Sequence, residues 1–158
     1  MTDWLESCYR EHSKRLFRLA WLVLRDVAAA EDAVHSAFVR LVALKDPPEN
    51  IAAFVLRAVR NAAIDERRRR RRQATELLVE SHRITAAPSF GESRLELEET
   101  LMSLTEAQRE VVEFRLRLGM SFREISELLH EPLSTVSSRY QRAIDHLQKN
   151  LEVHDERT

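Results

Sequence analysis

The sequence predicts an all-α protein of two small helical domains joined by a flexible linker, and three observations carry that prediction. Only two glycines, Gly91 and Gly119, and four prolines interrupt 158 residues rich in Ala, Leu, Glu and Arg, a composition of helices rather than of a turn-dense sheet protein. Apolar residues return every three or four positions in both halves, the period of a helix with one buried stripe. Between residues 73 and 92 the period fades, and Thr85-Ala86-Ala87-Pro88-Ser89-Phe90-Gly91 has the small and turn-forming residues of a connector. The expected layout is a first domain over 1–72, a linker over 73–94 and a second domain over 95–153.

In the first domain, Trp4, Leu5, Cys8, Leu16, Phe17, Leu19, Ala20 and Leu24 form one stripe of a helix over 3–25. A second helix, 28–44, turns Ala33, Val34, Ala37, Phe38, Leu41 and Val42 inward. Asp46-Pro47-Pro48 stops it, because proline fixes φ and lacks an amide proton. A third helix, 50–70, buries Phe54, Val55, Ala58, Val59 and Ala62 and ends in the run Arg67 to Arg72.

In the second domain, Thr105-Glu106-Ala107-Gln108 fits the capping box, in which the hydroxyl and the amide side chain satisfy backbone N–H groups at a helix start. The helix it opens reaches about residue 118 and stops at Gly119. Ser121-Phe122-Arg123-Glu124 is a second capping box, opening a short helix through residue 129. Pro132 suits the first turn of a final helix, expected to continue to about residue 151. The tight stretch His130-Glu131-Pro132 between them has helix-turn-helix spacing.

The net charge of -1 hides an asymmetry. Residues 1–72 carry 15 Lys or Arg against 10 Asp or Glu, and residues 95–158 carry 8 against 13. A basic half joined to an acidic half suggests one surface for a polyanion and another for a protein. No apolar run approaches the roughly 20 residues that span a bilayer, and the start lacks a signal-peptide core, so a cytoplasmic protein without stable membrane insertion is expected. The single cysteine, Cys8, has no partner for an internal disulfide, and neighbouring Glu6 and Glu11 disfavour a reactive thiolate. It is expected as a half-buried helix residue.

A glycine-rich phosphate loop, a nucleophile elbow and an HExxH pair are all missing, so no enzyme activity and no cofactor is expected. Asp32 with His35, and Glu127 with His130, set a carboxylate three residues from a histidine as di-iron bundles do. Such sites need further glutamates on inward helix faces, and no metal site is expected.

In a helix-turn-helix the second helix enters the major groove, its N-terminal residues reaching base edges and phosphates. Those positions here are Ser134, Thr135, Ser137, Ser138, Arg139 and, one turn on, Arg142. Val136, Tyr140, Ala143, Ile144 and Leu147 fall on the opposite side, where they can meet Phe122, Ile125, Leu128 and Leu129. In the first half, Arg57, Arg60, Asn61, Ile64 and Arg68 share a helix face, offering cations for phosphates and an amide for a base. The run Arg67 to Arg72 sets six like charges side by side, a repulsion that a nearby polyanion relieves.

At this point the sequence resembles a known family. Leu104-Thr105-Glu106-Ala107-Gln108-Arg109-Glu110-Val111-Val112, then Gly119-Met120-Ser121-Phe122-Arg123-Glu124-Ile125-Ser126, then Thr135-Val136-Ser137-Ser138-Arg139 and Arg142-Ala143 are similar to region 4 of extracytoplasmic-function sigma factors of bacterial RNA polymerase. Ala30-Glu31-Asp32-Ala33-Val34 with Phe38 resembles the start of region 2 in the same family. Asn61-Ala62-Ala63-Ile64-Asp65 and the arginines after it resemble the end of that region's promoter-reading helix.

The resemblance implies that region 2 binds core RNA polymerase through Glu31, Asp32, His35 and Phe38. It implies that Arg57, Arg60, Asn61, Ile64, Arg67 and Arg68 serve the minus-10 element of promoter DNA, and that the loop 45–50 captures an unstacked base. Region 4 would dock on the polymerase flap and read the minus-35 element through Ser134, Thr135, Ser137, Ser138, Arg139 and Arg142. An anti-sigma factor is a further implied partner.

The sequence departs from the family at Ser137, where Lys or Arg is common, and at His130, His35 and Phe54, where glycine, glutamine and tryptophan are common. The recognition helix is therefore weakly basic, with Arg139, Arg142 and Lys149 opposed by Asp145. Two rival readings are a sigma-like decoy that occupies an anti-sigma factor and a plain helix-turn-helix repressor. The arginine run disfavours the first, and the region 2 match is left without a reason by the second.

Overall fold

The computed structural model describes residues 2–77 and 93–156, and among them the chain is helical with no strand. It divides into two compact units, Met1–Ala87 and Pro88–Thr158.

The first unit packs three helices pairwise: α1 (Asp3–Leu24), α2 (Val27–Leu41) and α3 (Ile51–Leu77). Asp3 and Glu6 in the first turn of α1 suit the positive end of the helix dipole. The helix ends where Arg25 turns left-handed at φ 53°, its N–H donating to the Trp21 carbonyl and its guanidinium lying 4.6 Å from the Trp21 ring centre. Asp26 follows at once and accepts the Ala29 N–H at 2.8 Å, starting α2. Two adjacent residues thus close one helix and open the next.

The interface of α2 is built from small residues, Ala29, Ala30, Ala33 and Ala37, with Val34, Phe38 and Leu41. They face Leu5, Leu16, Leu19, Ala20, Trp21 and Leu22 of α1 and Val55, Leu56, Val59, Ala62 and Ala63 of α3, all buried. Each large aliphatic side chain removed from water in this way contributes about 1.5–3 kcal/mol. The buried stripe of α3 is wider than periodicity suggests, because α3 touches both other helices: Leu56 and Ala63 are covered while Phe54 and Ala58 stay half-buried. Cys8, expected half-buried, is 4% exposed.

Two boundaries move. α2 ends at Leu41, ahead of the prolines, so Val42 is exposed rather than inward. α3 continues past Arg70 to Leu77, since Gln73, Ala74, Glu76 and Leu77 all favour helix and no breaker follows Arg72. The expected connector 73–94 is therefore helical at its start and again from Ser93, and the stretch between lies outside the described residues.

The second unit contains α4 (Ser93–Met102), α5 (Glu106–Leu116), α6 (Phe122–Leu129) and α7 (Leu133–Asp155), with α4, α5 and α6 all packed on α7. Both expected capping boxes are present. Thr105 Oγ1 accepts the Gln108 N–H at 3.2 Å while Gln108 Oε1 accepts the Thr105 N–H at 3.3 Å. Ser121 and Glu124 repeat the exchange at 3.1 Å in each direction. α5 ends at Leu116, two residues short of the expected 118, and Gly119, at φ 64°, turns the chain back after it, where the Met120 N–H returns to the Phe114 carbonyl.

Periodicity does not announce α4. A ten-residue helix is marginal alone, and this one rests on neighbours. Leu101 and Leu104 join Val112 and Ala143 in a buried cluster flanked by Tyr140 and Leu147. Arg109 donates to the carbonyls of Leu101 and Leu104, and Arg117 pairs with Glu98 at 2.6 Å.

Candidate functional site

The turn between α6 and α7 is tightly held. His130 is left-handed at φ 53°, and its N–H and that of Glu131 both reach the Ser126 carbonyl. Ser126 Oγ in turn donates to the Glu131 carbonyl at 2.6 Å. After Pro132 the chain re-enters helix at Leu133, and the Pro132 carbonyl accepts the Val136 N–H. One serine side chain and its carbonyl thereby hold the turn from which α7 leaves.

The orientation of α7 is fixed by what it buries. Val136 and Ala143 are fully covered, and Tyr140 meets Phe122 edge-on with ring centres 5.1 Å apart. Arg115 of α5 completes this stack, its guanidinium 4.9 Å from the Phe122 ring centre and its Nη1 on the Met120 carbonyl at 3.0 Å. The opposite face of α7 consequently points to solvent. Ser134, Ser137, Ser138 and Arg142 are exposed there, while Thr135 and Arg139 are half-buried beside them. All six sequence-predicted residues lie on this helix, within its first three turns.

Arg139 is not a free cation. Its Nη2 lies 3.3 Å from Glu131 Oε1, with the two side chains 28% and 37% exposed. Sequence spacing did not single out Glu131, since a residue in a turn and one two turns into a helix meet only once the turn geometry is known. Asp145, the carboxylate that offsets the basic residues of this helix, accepts from Gln141 at 3.1 Å.

In the first unit, Arg57, Arg60, Asn61, Ile64, Arg67 and Arg68 all lie on α3. Asn61 and Arg68 are exposed, whereas Arg57, Arg60, Ile64 and Arg67 are half-buried. Arg57, Arg60 and Arg67 each engage other groups of the protein. The arginine run is not electrically uniform. Glu66 holds Arg69 at 2.7 Å and Arg70 at 3.0 Å, and Arg70 also reaches Asp26 at 3.4 Å. Hydrogen bonds from Arg69 and then Arg70 lower the Glu66 carboxyl below the usual range. The Ala29 N–H, followed by Arg70, does the same to Asp26. Among the described residues, Arg68, Arg71 and Arg72 have exposed side chains outside this network.

Glu31, His35 and Phe38 come together at a groove of about 650 Å³ between α1 and α2. Asp32 is exposed on α2 but does not line it. The groove also holds Tyr9, whose ring meets Phe38 edge-on at 5.1 Å, with Lys14, Val39 and Val42. Tyr9, Val39 and Val42 are unusually exposed for apolar residues, at 49%, 58% and 47%. The available signal was Val39, an apolar residue off the core stripe of α2, whereas Val42 reads as part of that stripe until the helix is seen to end at Leu41. Among the described residues no group of three or more His, Cys, Asp or Glu side chains converges, and no helix is long and apolar enough to cross a membrane.

Comparison with known proteins follows the same division. Residues 8–73 match the family model for sigma-70 region 2, and residues 94–147 match that for sigma-70 region 4. The chain is 30% identical, over its whole length, to the ECF RNA polymerase sigma factor SigE of Mycolicibacterium smegmatis, and spans 65% of that protein. Among solved structures it is similar to the sigma factor RpoE of Bartonella quintana, crystallised with the anti-sigma factor NepR. There the identity is 24%, the TM-score 0.67, and 91% of this chain and 96% of that one are covered. It is also similar to CnrH, solved with the cytosolic domain of CnrY, at 22% identity and TM-score 0.66, over 94% of this chain and 88% of that one. Two consecutive sigma regions, in family order and on separate helical units, place this chain in the extracytoplasmic-function family of sigma factors.

Proposed function

We propose that this protein is a promoter-specificity subunit of bacterial RNA polymerase, working in the cytoplasm and performing no covalent chemistry of its own. The observation that carries the reading is that each sigma region sets polar residues along a helix backed by an apolar core, exposed on α7 and at Asn61 and Arg68 of α3, half-buried at Arg57, Arg60 and Arg67. In region 4 the polar face is Ser134, Ser137, Ser138 and Arg142 on α7, with Thr135 and Arg139 at its edge. It is assigned to the minus-35 element, read from the major groove as helix-turn-helix proteins do.

In region 2 the α3 residues Arg57, Arg60, Asn61, Ile64, Arg67 and Arg68 are assigned to the minus-10 element. The exposed loop 45–50 is assigned to an unstacked base, an operation that costs a few kcal/mol and so selects easily opened steps. The groove at Phe38, with Glu31 and His35 on its rim and Asp32 beside it, is assigned to core polymerase. Its exposed apolar side chains are what a protein contact covers. An anti-sigma factor is a further proposed partner, since two solved relatives are held in complexes, one of them with a named anti-sigma factor.

The test is transcription by core polymerase to which this protein is added, on a pool of genomic promoter fragments, with the transcripts sequenced. Transcripts that start at a shared pair of elements are expected. A pool with none overturns the proposal, and tight anti-sigma binding without affinity for core polymerase would establish the decoy in its place.

A further inference from the structure

We infer that Glu131 is a positioning residue that makes Arg139 read a guanine edge rather than a phosphate, an assignment that rests on the promoter-reading function proposed above. Glu131 stands on an anchored turn. Its backbone is fixed on both sides by Ser126, which accepts the Glu131 N–H at 3.2 Å and donates to the Glu131 carbonyl at 2.6 Å. From that anchor Glu131 Oε1 takes Arg139 Nη2 at 3.3 Å, in a half-buried pair.

A guanidinium has five N–H donors in a planar fork, so one bond to Glu131 leaves enough for the two acceptors, O6 and N7, that guanine shows in the major groove. The same carboxylate repels phosphate. An arginine that carries its own anion is a poor backbone clamp, because the pair brings no net positive charge to release counterions. Fixing the fork also removes side-chain freedom before DNA arrives, which sharpens discrimination between bases.

The experiment is full-length protein with core polymerase on a promoter library randomised through the minus-35 element. Wild type is expected to lose on the order of tenfold in transcript yield when one guanine is replaced. Glu131→Gln, which keeps the shape and removes the charge, is expected to flatten the preference at that position to about twofold or less. It should also bind unrelated DNA more tightly, with the salt slope steeper by about 1. Arg139→Ala should abolish the same preference, and the double variant should lose nothing more, because both act through one contact.

An unchanged base profile in Glu131→Gln overturns the assignment, as does an Arg139→Ala variant that weakens every sequence equally. A wild type that yields no promoter-dependent transcript overturns the functional reading beneath it as well. Thermal unfolding of both variants at the wild-type temperature excludes a folding defect as the source of either change.

Discussion

Asp26 joins two helices: one carboxylate oxygen accepts the Ala29 N–H at 2.8 Å and starts α2, while the other lies 3.4 Å from Arg70 of α3. The basic segment of α3 lies beyond Ala63, the last buried residue of that helix among those described, and such contacts together with those of Glu66 support it.

Asp26→Ala therefore removes a cap and a tether together. A loss of about 1–2 kcal/mol is expected in urea unfolding, most of it from the cap, because an ion pair this open to water adds less than about 1 kcal/mol. Asp26→Asn, which can still accept the Ala29 N–H, should lose less. The pH dependence has a definite sign. Both Asp26 and Glu66 have folded-state values below the usual range, so their contribution is complete above about pH 5 and fades as pH falls below about 4. Repeating the unfolding at pH 7 and pH 3 should show the Asp26→Ala difference shrinking in acid.

His130 closes α6 at φ 53° and ψ 39°, a left-handed conformation that disfavours any residue with a Cβ. His130→Gly relieves that strain and gives back part of the gain through a more flexible unfolded chain. A net stabilisation of about 0.5–1 kcal/mol is expected, read as a raised unfolding midpoint. Destabilisation would mean that the imidazole makes contacts worth more than the strain.

Cys8 is 4% exposed, and burial, with Glu11 adding to it, pushes its thiol up from the ordinary cysteine value. Reaction with a thiol reagent at pH 8 should be slow in the native protein and follow the rate of unfolding. Fast labelling without denaturant would contradict the burial.

Val39 is 58% exposed on the groove wall, where a charge leaves the core intact. Val39→Asp should change stability by no more than about 0.5 kcal/mol. Affinity for core polymerase is expected to fall about tenfold, or about 1.4 kcal/mol, in a binding titration. Unaltered affinity would move the polymerase contact elsewhere.

Arg142 is exposed on α7 without a carboxylate partner among the described residues. Arg142→Ala should weaken promoter binding by the polymerase complex nearly equally across sequences and reduce the salt slope by about 0.9. A loss confined to one base pair would make it a base reader.

Much of this protein follows from local chemistry. Thr105 with Gln108 and Ser121 with Glu124 are capping boxes within four residues of chain, and Gly119 is a stop because it has no Cβ. These features do not wait for a tertiary fold, so they were legible, as was the polar stripe of Ser134, Ser137, Ser138 and Arg142 opposite Val136 and Ala143. The two sigma regions were legible for the same reason, being ordered strings of such local signals.

Other features arise where residues distant in the chain meet. α4 is a helix because Arg109 and Arg117 hold it against a core shared with α7, which no ten-residue window contains. The exposure of Val39 and Val42 depends on α1 leaving a groove open beside α2. The arginines also look alike in sequence, yet Glu66 and Asp26 engage two of them and Glu131 engages Arg139. A charge's role is set by the nearest opposite charge in space, and spacing along the chain specifies that neighbour only within a single helix.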